Sequence, residues 1–191
     1  MDGQVARQNL TPNEFGKELD SLVDAVSFGI APAILGYIFI YRTFHLLSTL
    51  ALLLYLFCSV WRLAKYNITP KEEMKNYFYG LPTTASGGML ASFILIFRKK
   101  HFVPLPEFVP TVFLFLVLIL AFLMISQARY LNLDGLKQLC GKRRTVIIVL
   151  ALAVLLVIEA FLRKSGITAF TLFLIYLIFS PFVVKRLDRS L

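Results

Sequence analysis

The stretch that decides the fold is residues 1–41, MDGQVARQNLTPNEFGKELDSLVD followed without a break by AVSFGIAPAILGYIFIY. A polar, acidic segment runs straight into an apolar one of membrane-crossing length. From Glu14 onward the pattern reads as a helix, so Gly16, Asp20 and Asp24, spaced by four, project from one face about a turn apart. Ionised carboxylates at the edge of hydrocarbon are costly unless they meet a cation. Hard oxygen ligands on neighbouring turns suit Mg²⁺ or Mn²⁺, and Asp2 on the preceding segment can supply the opposite side of the cage. The competing account is structural, with acids placed near the positive end of a helix dipole.

Working outward, hydrophobic residues make up 58% of the 191 and charged residues 16%, with a mean hydropathy of +0.75. That balance excludes a soluble globule of ordinary surface. The expected fold class is all-α, a polytopic transmembrane bundle of about six spans, each of about 20 residues, forming a single membrane domain over 1–191. The spans are expected near 15–41, 46–60, 81–97, 109–126, 146–162 and 169–184, with Pro32 kinking the first. WRLAKYN at 61–67 reads as an aromatic and basic interface anchor. NITPKEEMKNYFY at 67–79 reads as a solvated loop or a short surface helix. The small residues of LPTTASGG at 81–88 let a neighbouring helix approach closely.

Residues 1–24 are acidic where a cleavable signal would carry a basic start and an apolar middle. Cys58 and Cys140 lack metal-ligand spacing and read as two unpaired thiols, while His45 and His101 read as interfacial polar residues. Glu159 and Arg163 form an i, i+4 pair near the end of a span. If the acidic end faces the cytoplasm, that side carries fourteen of the twenty Lys and Arg residues, as the positive-inside rule requires. The net charge of +9 needs no nucleic acid, because juxtamembrane cations also attract anionic headgroups. Beside a metal site, a basic face suits a phosphate-bearing substrate.

Asp2-Gly3-x-x-Ala6-Arg7, then eight residues, then Gly16-x-x-x-Asp20-x-x-x-Asp24 resembles the signature of the CDP-alcohol phosphatidyltransferases, D-x-x-D-G-x-x-A-R-x(8)-G-x-x-x-D-x-x-x-D. The resemblance implies a CDP-linked lipid bound through its diphosphate, and an alcohol that attacks the lipid-side phosphorus to release CMP. It implies that Asp2, Asp20 and Asp24 are metal ligands, with Asp24 also the general base. It implies that Gly3, Ala6 and Gly16 are small to admit the nucleotide, that Arg7 faces phosphate or pairs with an acid, and that the protein is a homodimer. For Arg7 a snorkelling interface cation is the other reading. The family's first Asp would stand three residues before Asp2, so an upstream segment of two further spans, ending in that Asp, is expected.

SFGIAPA at 27–33, RLAKYN at 62–67, YGLPTTASGG at 79–88 and LMISQARY at 123–130 look like the phosphatidylserine synthase branch. That likeness implies CDP-diacylglycerol and L-serine as substrates. Arg62 and Lys65, three apart on one helical face, are then candidates to hold the serine carboxylate or a substrate phosphate; ordinary positive-inside anchoring is the alternative for each. Two other readings stay open. One is a transferase of the same family using glycerol 3-phosphate or an inositol phosphate. The other is a non-enzymatic membrane protein such as a transporter, which would place ionisable residues near mid-membrane at broken helices.

Overall fold

The computed structural model describes residues 12–41, 43, 45–70, 77–98, 106, 108–132, 136, 141, 146–147, 150–151, 154 and 166–187. The elements among them are α1 (Pro12–Asp24), a π-helical turn (Ala25–Ile30), α2 (Ala31–Ile40), α3 (His45–Ile68), β1 (Tyr77–Tyr79), α4 (Thr83–Arg98), α5 (Phe108–Ile125), β2 (Arg129–Leu131) and α6 (Ile167–Leu187). Asp2, Gly3, Ala6, Arg7, Cys140, His101 and the Glu159–Arg163 pair lie outside the described residues, as does most of the expected fifth span.

Among the described residues four stretches are long and apolar enough to cross a membrane: Phe15–Ile40, His45–Ile68, Phe108–Ile125 and Ile167–Lys185. The protein is an all-α integral membrane bundle. Helix α4, at 16 residues, is shorter than these four stretches. Long apolar side chains point outward all round, among them Leu46, Leu53, Phe57, Phe115, Phe122 and Phe182. Lipid offers those side chains an apolar solvent, so helix association rests on close packing and polar contacts rather than on hydrophobic burial. Helix α3 packs most extensively on α5, and α4 on α6. Around Phe113 the rings of Phe39 and Phe93 meet at 5.2 and 5.4 Å. A Cβ added at Gly87 would lie 2.7 Å from the Phe28 carbonyl oxygen, so the small residues of 81–88 do bring two backbones together.

Two expectations are corrected along the chain. The second span does not stop at 60. Helix α3 runs on through Ile68, because nothing in WRLAKYN breaks a helix, and Pro70 then ends it. The 67–79 stretch is neither wholly loop nor surface helix: Tyr77–Tyr79 is a strand paired antiparallel with Arg129–Leu131. The ribbon's outer edge is covered. Leu131 donates its N–H to Ser180 Oγ and accepts at its carbonyl from the Tyr176 hydroxyl, 3.0 Å away. Gly80, at φ +74°, then turns the chain into α4, where any Cβ would overlap the Met124 carbonyl. Tyr130 on β2 is fully buried, which pushes its phenol above the usual range and keeps it neutral.

Pro32 lies in the first span, where the helix widens rather than ending. Proline has no N–H for the Phe28 carbonyl four residues back. The turn before it becomes π-helical, with the Ala31 N–H donating five residues back to the Val26 carbonyl. The freed Phe28 carbonyl accepts from the Tyr55 hydroxyl at 2.9 Å.

Candidate active site

At the end of the bundle where α1 enters, two side chains tie it to the last turn of α3. Lys17 Nζ donates to the Asn67 carbonyl at 2.8 Å, a cation on the negative end of a helix, and Asn67 Nδ2 donates to Ser21 Oγ at 2.8 Å. Asp20 and Asp24 sit on the same side of α1 as these ties. Asp20 is exposed and Asp24 half-buried. Among the described residues neither carboxylate accepts a hydrogen bond, and Asp24 lies within electrostatic reach of Asp20 and Arg62.

Arg62 faces them from α3 and is only 8% exposed. Its Nη1 donates to Thr83 Oγ1 at 3.0 Å, and its Nε has no hydrogen-bond partner among the described residues. The guanidinium lies 5.4 Å from the Tyr66 ring centre and 5.9 Å from that of Phe78. Strand alternation explains the second ring. In β1, Phe78 turns toward Arg62 while Tyr77 and Tyr79 turn the other way, toward Arg129 at 4.8 and 5.9 Å.

Together these residues line a cleft of about 230 Å³ that holds Asp20, Asp24, Arg62, Tyr66 and Thr84. Lys65 is not in it. Lys65 is exposed and lines a smaller neighbouring pocket together with Arg62, Trp61, Tyr79 and Ser126, so the two cations share that pocket while only Arg62 also lines the cleft. Three residues of helix leave two side chains about 60° apart, close enough for both to line the smaller pocket. Gly16 has open space where its Cβ would be, so packing does not require a glycine there.

Two carboxylates one turn apart, neither ion-paired among the described residues, are the hard oxygen donors that Mg²⁺ or Mn²⁺ takes alongside water and substrate phosphate. They do not close a cage by themselves. Among the described residues no group of three His, Cys, Asp or Glu side chains could hold a metal ion, and Asp2, the predicted third ligand, lies outside them.

Lys17, Ser21, Asn67 and Thr84 line the cleft, and Thr83 holds Arg62 behind it, although no role was predicted for them. Tyr66, Asn67, Thr83 and Thr84 do fall in the two stretches RLAKYN and YGLPTTASGG singled out in the sequence. What was missing was a reason to place those stretches side by side.

The CDP-alcohol phosphatidyltransferase family profile matches residues 1–123. A Helicobacter pylori protein named CDP-diacylglycerol–serine O-phosphatidyltransferase is 31% identical over 176 residues, covering 92% of this chain and 71% of the relative. Proteins of the same name from Methanocaldococcus jannaschii and Bacillus subtilis are 38% and 36% identical. The first covers 49% of this chain and 43% of itself, the second 45% and 48%. A profile match over more than half of the chain, joined to similarity that runs through nearly all of it, places this protein in the CDP-alcohol phosphatidyltransferase family.

Proposed function

We propose that the protein transfers a phosphatidyl group from CDP-diacylglycerol to the hydroxyl of L-serine, releasing CMP and forming phosphatidylserine. The observation that carries this reading is Arg62, a buried cation whose Nε has no hydrogen-bond partner among the described residues, on the wall of a cleft that also holds two carboxylates without a hydrogen-bond donor among them. Such a cleft suits a substrate with both a metal-binding diphosphate and an anionic partner group.

In this reading Asp20 and Asp24, with Asp2, hold the divalent ions. When bound, those ions neutralise charge on the diphosphate and on the departing CMP. Asp24, the deeper of the two described carboxylates, takes the proton from the serine hydroxyl, which would hardly ionise alone near neutral pH. Gly3, Ala6 and Gly16 leave room for the nucleotide, and Arg7 faces phosphate. Arg62 holds the serine carboxylate or a substrate phosphate through its free N–H, and the Tyr66 and Phe78 rings keep the guanidinium in place. Lys65 supplies positive potential from the adjoining pocket.

The test is CMP release from CDP-diacylglycerol by membranes carrying the protein. Serine is expected to support it, whereas glycerol 3-phosphate is not; the reverse order would favour the other transferase chemistry. The names of the H. pylori, M. jannaschii and B. subtilis relatives favour serine.

We place the cleft on the cytoplasmic face of the inner membrane, where the positive-inside count puts it. Arg62, the β1–β2 ribbon and Asp20 gather at one end of the bundle, as that orientation needs. A cysteine substituted at Asn76 should then resist an impermeant maleimide added outside intact cells. Labelling from outside would invert the orientation.

A further inference from the structure

We propose that the π-helical turn at Ala25–Ile30 is what points Asp20 and Asp24 into the cleft, and that Tyr55 is a positioning residue for both carboxylates because it holds that turn. The consequence for catalysis rests on the metal-ligand reading given above; the geometry does not.

The argument starts from helical phase. At about 100° per residue, an unbroken α-helix would set Leu22 within about 20° of Ala33 and Asp24 about 180° from it. Ala33 is buried, on the face that carries Gly36 and Ile40 inward. Continued regularly, the first span would turn Leu22 into the bundle and Asp24 out to the lipid side. The observed pattern is the opposite. Leu22 is 65% exposed and Val26 55%, while Ser21 and Asp24 are half-buried and Ser21 is bonded to Asn67. One extra residue in a turn rotates everything before it by about 100°. That rotation brings Ser21 to within about 20° of the Ala33 direction and Asp24 to within about 80° of it.

A wide turn persists only where its surroundings prefer it. Here the contacts come from two neighbouring helices and converge on Phe28 and Gly29. The Tyr55 hydroxyl donates to the Phe28 carbonyl at 2.9 Å and lies 3.2 Å from Ser86 Oγ on α4. Ser59 of α3 sits so close that a Cβ at Gly29 would be 2.7 Å from its Oγ. Gly87 of α4 closes the other side against the Phe28 backbone. Tyr55 is fully buried and makes the hydrogen bond that Pro32 denies to the regular helix. Remove both the phenol and the proline, and residue 32 can donate to Phe28 in the ordinary α register.

The experiment reads the register without using catalysis. In a chain with Cys58 and Cys140 replaced by alanine, the pairs Ser21→Cys/Asn67→Cys and Leu22→Cys/Asn67→Cys are oxidised in membranes with copper phenanthroline. Linked peptides are then counted by mass spectrometry. The Ser21 pair should link at least tenfold better than the Leu22 pair, and adding Tyr55→Phe with Pro32→Ala should reverse the order. Tyr55→Phe alone, which removes a single oxygen atom, should lower the Ser21 yield about threefold. It should also raise the Mg²⁺ concentration for half-maximal CMP release about threefold, with activity recovering at high Mg²⁺. Unchanged linking in both variants would overturn the proposal. Linking that moves while the Mg²⁺ requirement stays fixed would uphold the turn's role and remove Asp20 and Asp24 from the metal reading.

Discussion

Asp24→Asn is expected to lower CMP release by about 10²- to 10⁴-fold, while CDP-diacylglycerol binding to the same membranes falls far less. Asparagine keeps the size and one oxygen of the side chain but cannot accept the hydroxyl proton. Asp24 is the less exposed of the two described carboxylates and lies within electrostatic reach of Arg62, so it is the one placed deeper in the cleft. Because it is also a proposed ion ligand, part of the loss should be recovered by raising Mg²⁺ or Mn²⁺. Asp20→Asn, at the exposed rim, should be recovered more completely. Wild-type turnover by Asp24→Asn would remove the residue from the mechanism, and full turnover after exhaustive chelation would remove the ions.

Arg62→Ala should be the second large effect. A hydrogen bond between a buried guanidinium and an anionic ligand is worth about 2–3 kcal/mol, which corresponds to a roughly 30- to 150-fold fall in kcat/KM. The loss should fall on whichever substrate the residue holds, so separate titrations of serine and CDP-diacylglycerol locate its ligand. Arg62→Lys keeps the charge but not the planar fork that reaches Thr83 and the cleft at once, and should be intermediate. Removing Arg62 also leaves Thr83 Oγ1 without the guanidinium, so thermal stability must be followed in parallel. Unchanged kcat/KM for both substrates in a stable Arg62→Ala protein would sink the anion-binding role.

Arg62 and Lys65 mark where sequence reading ends. Both are basic, both sit at the membrane exit of one helix, and periodicity treats them alike. They part company in burial: Thr83 and Phe78 close over Arg62, whereas Lys65 stays exposed in the pocket that both line. The strand that brings Phe78 there was not legible either. Three residues with Tyr77 and Tyr79 flanking Phe78 carry too short an alternation to stand out from an interfacial aromatic cluster.

Reading the residues in order was enough to show an all-α membrane protein whose acids fall on one helical face at a membrane entrance and follow the family's spacing. These are properties of composition and local periodicity, which need no neighbour. Tertiary structure alone decided the direction in which that face points. The phase of the first span is reset at Ala25–Ile30, and the contacts that hold the reset turn come from Tyr55, Ser59 and Gly87 on other helices. A residue count along one strand of sequence fixes the angle between Asp20 and Asp24; only packing between helices fixes the angle between that pair and Arg62.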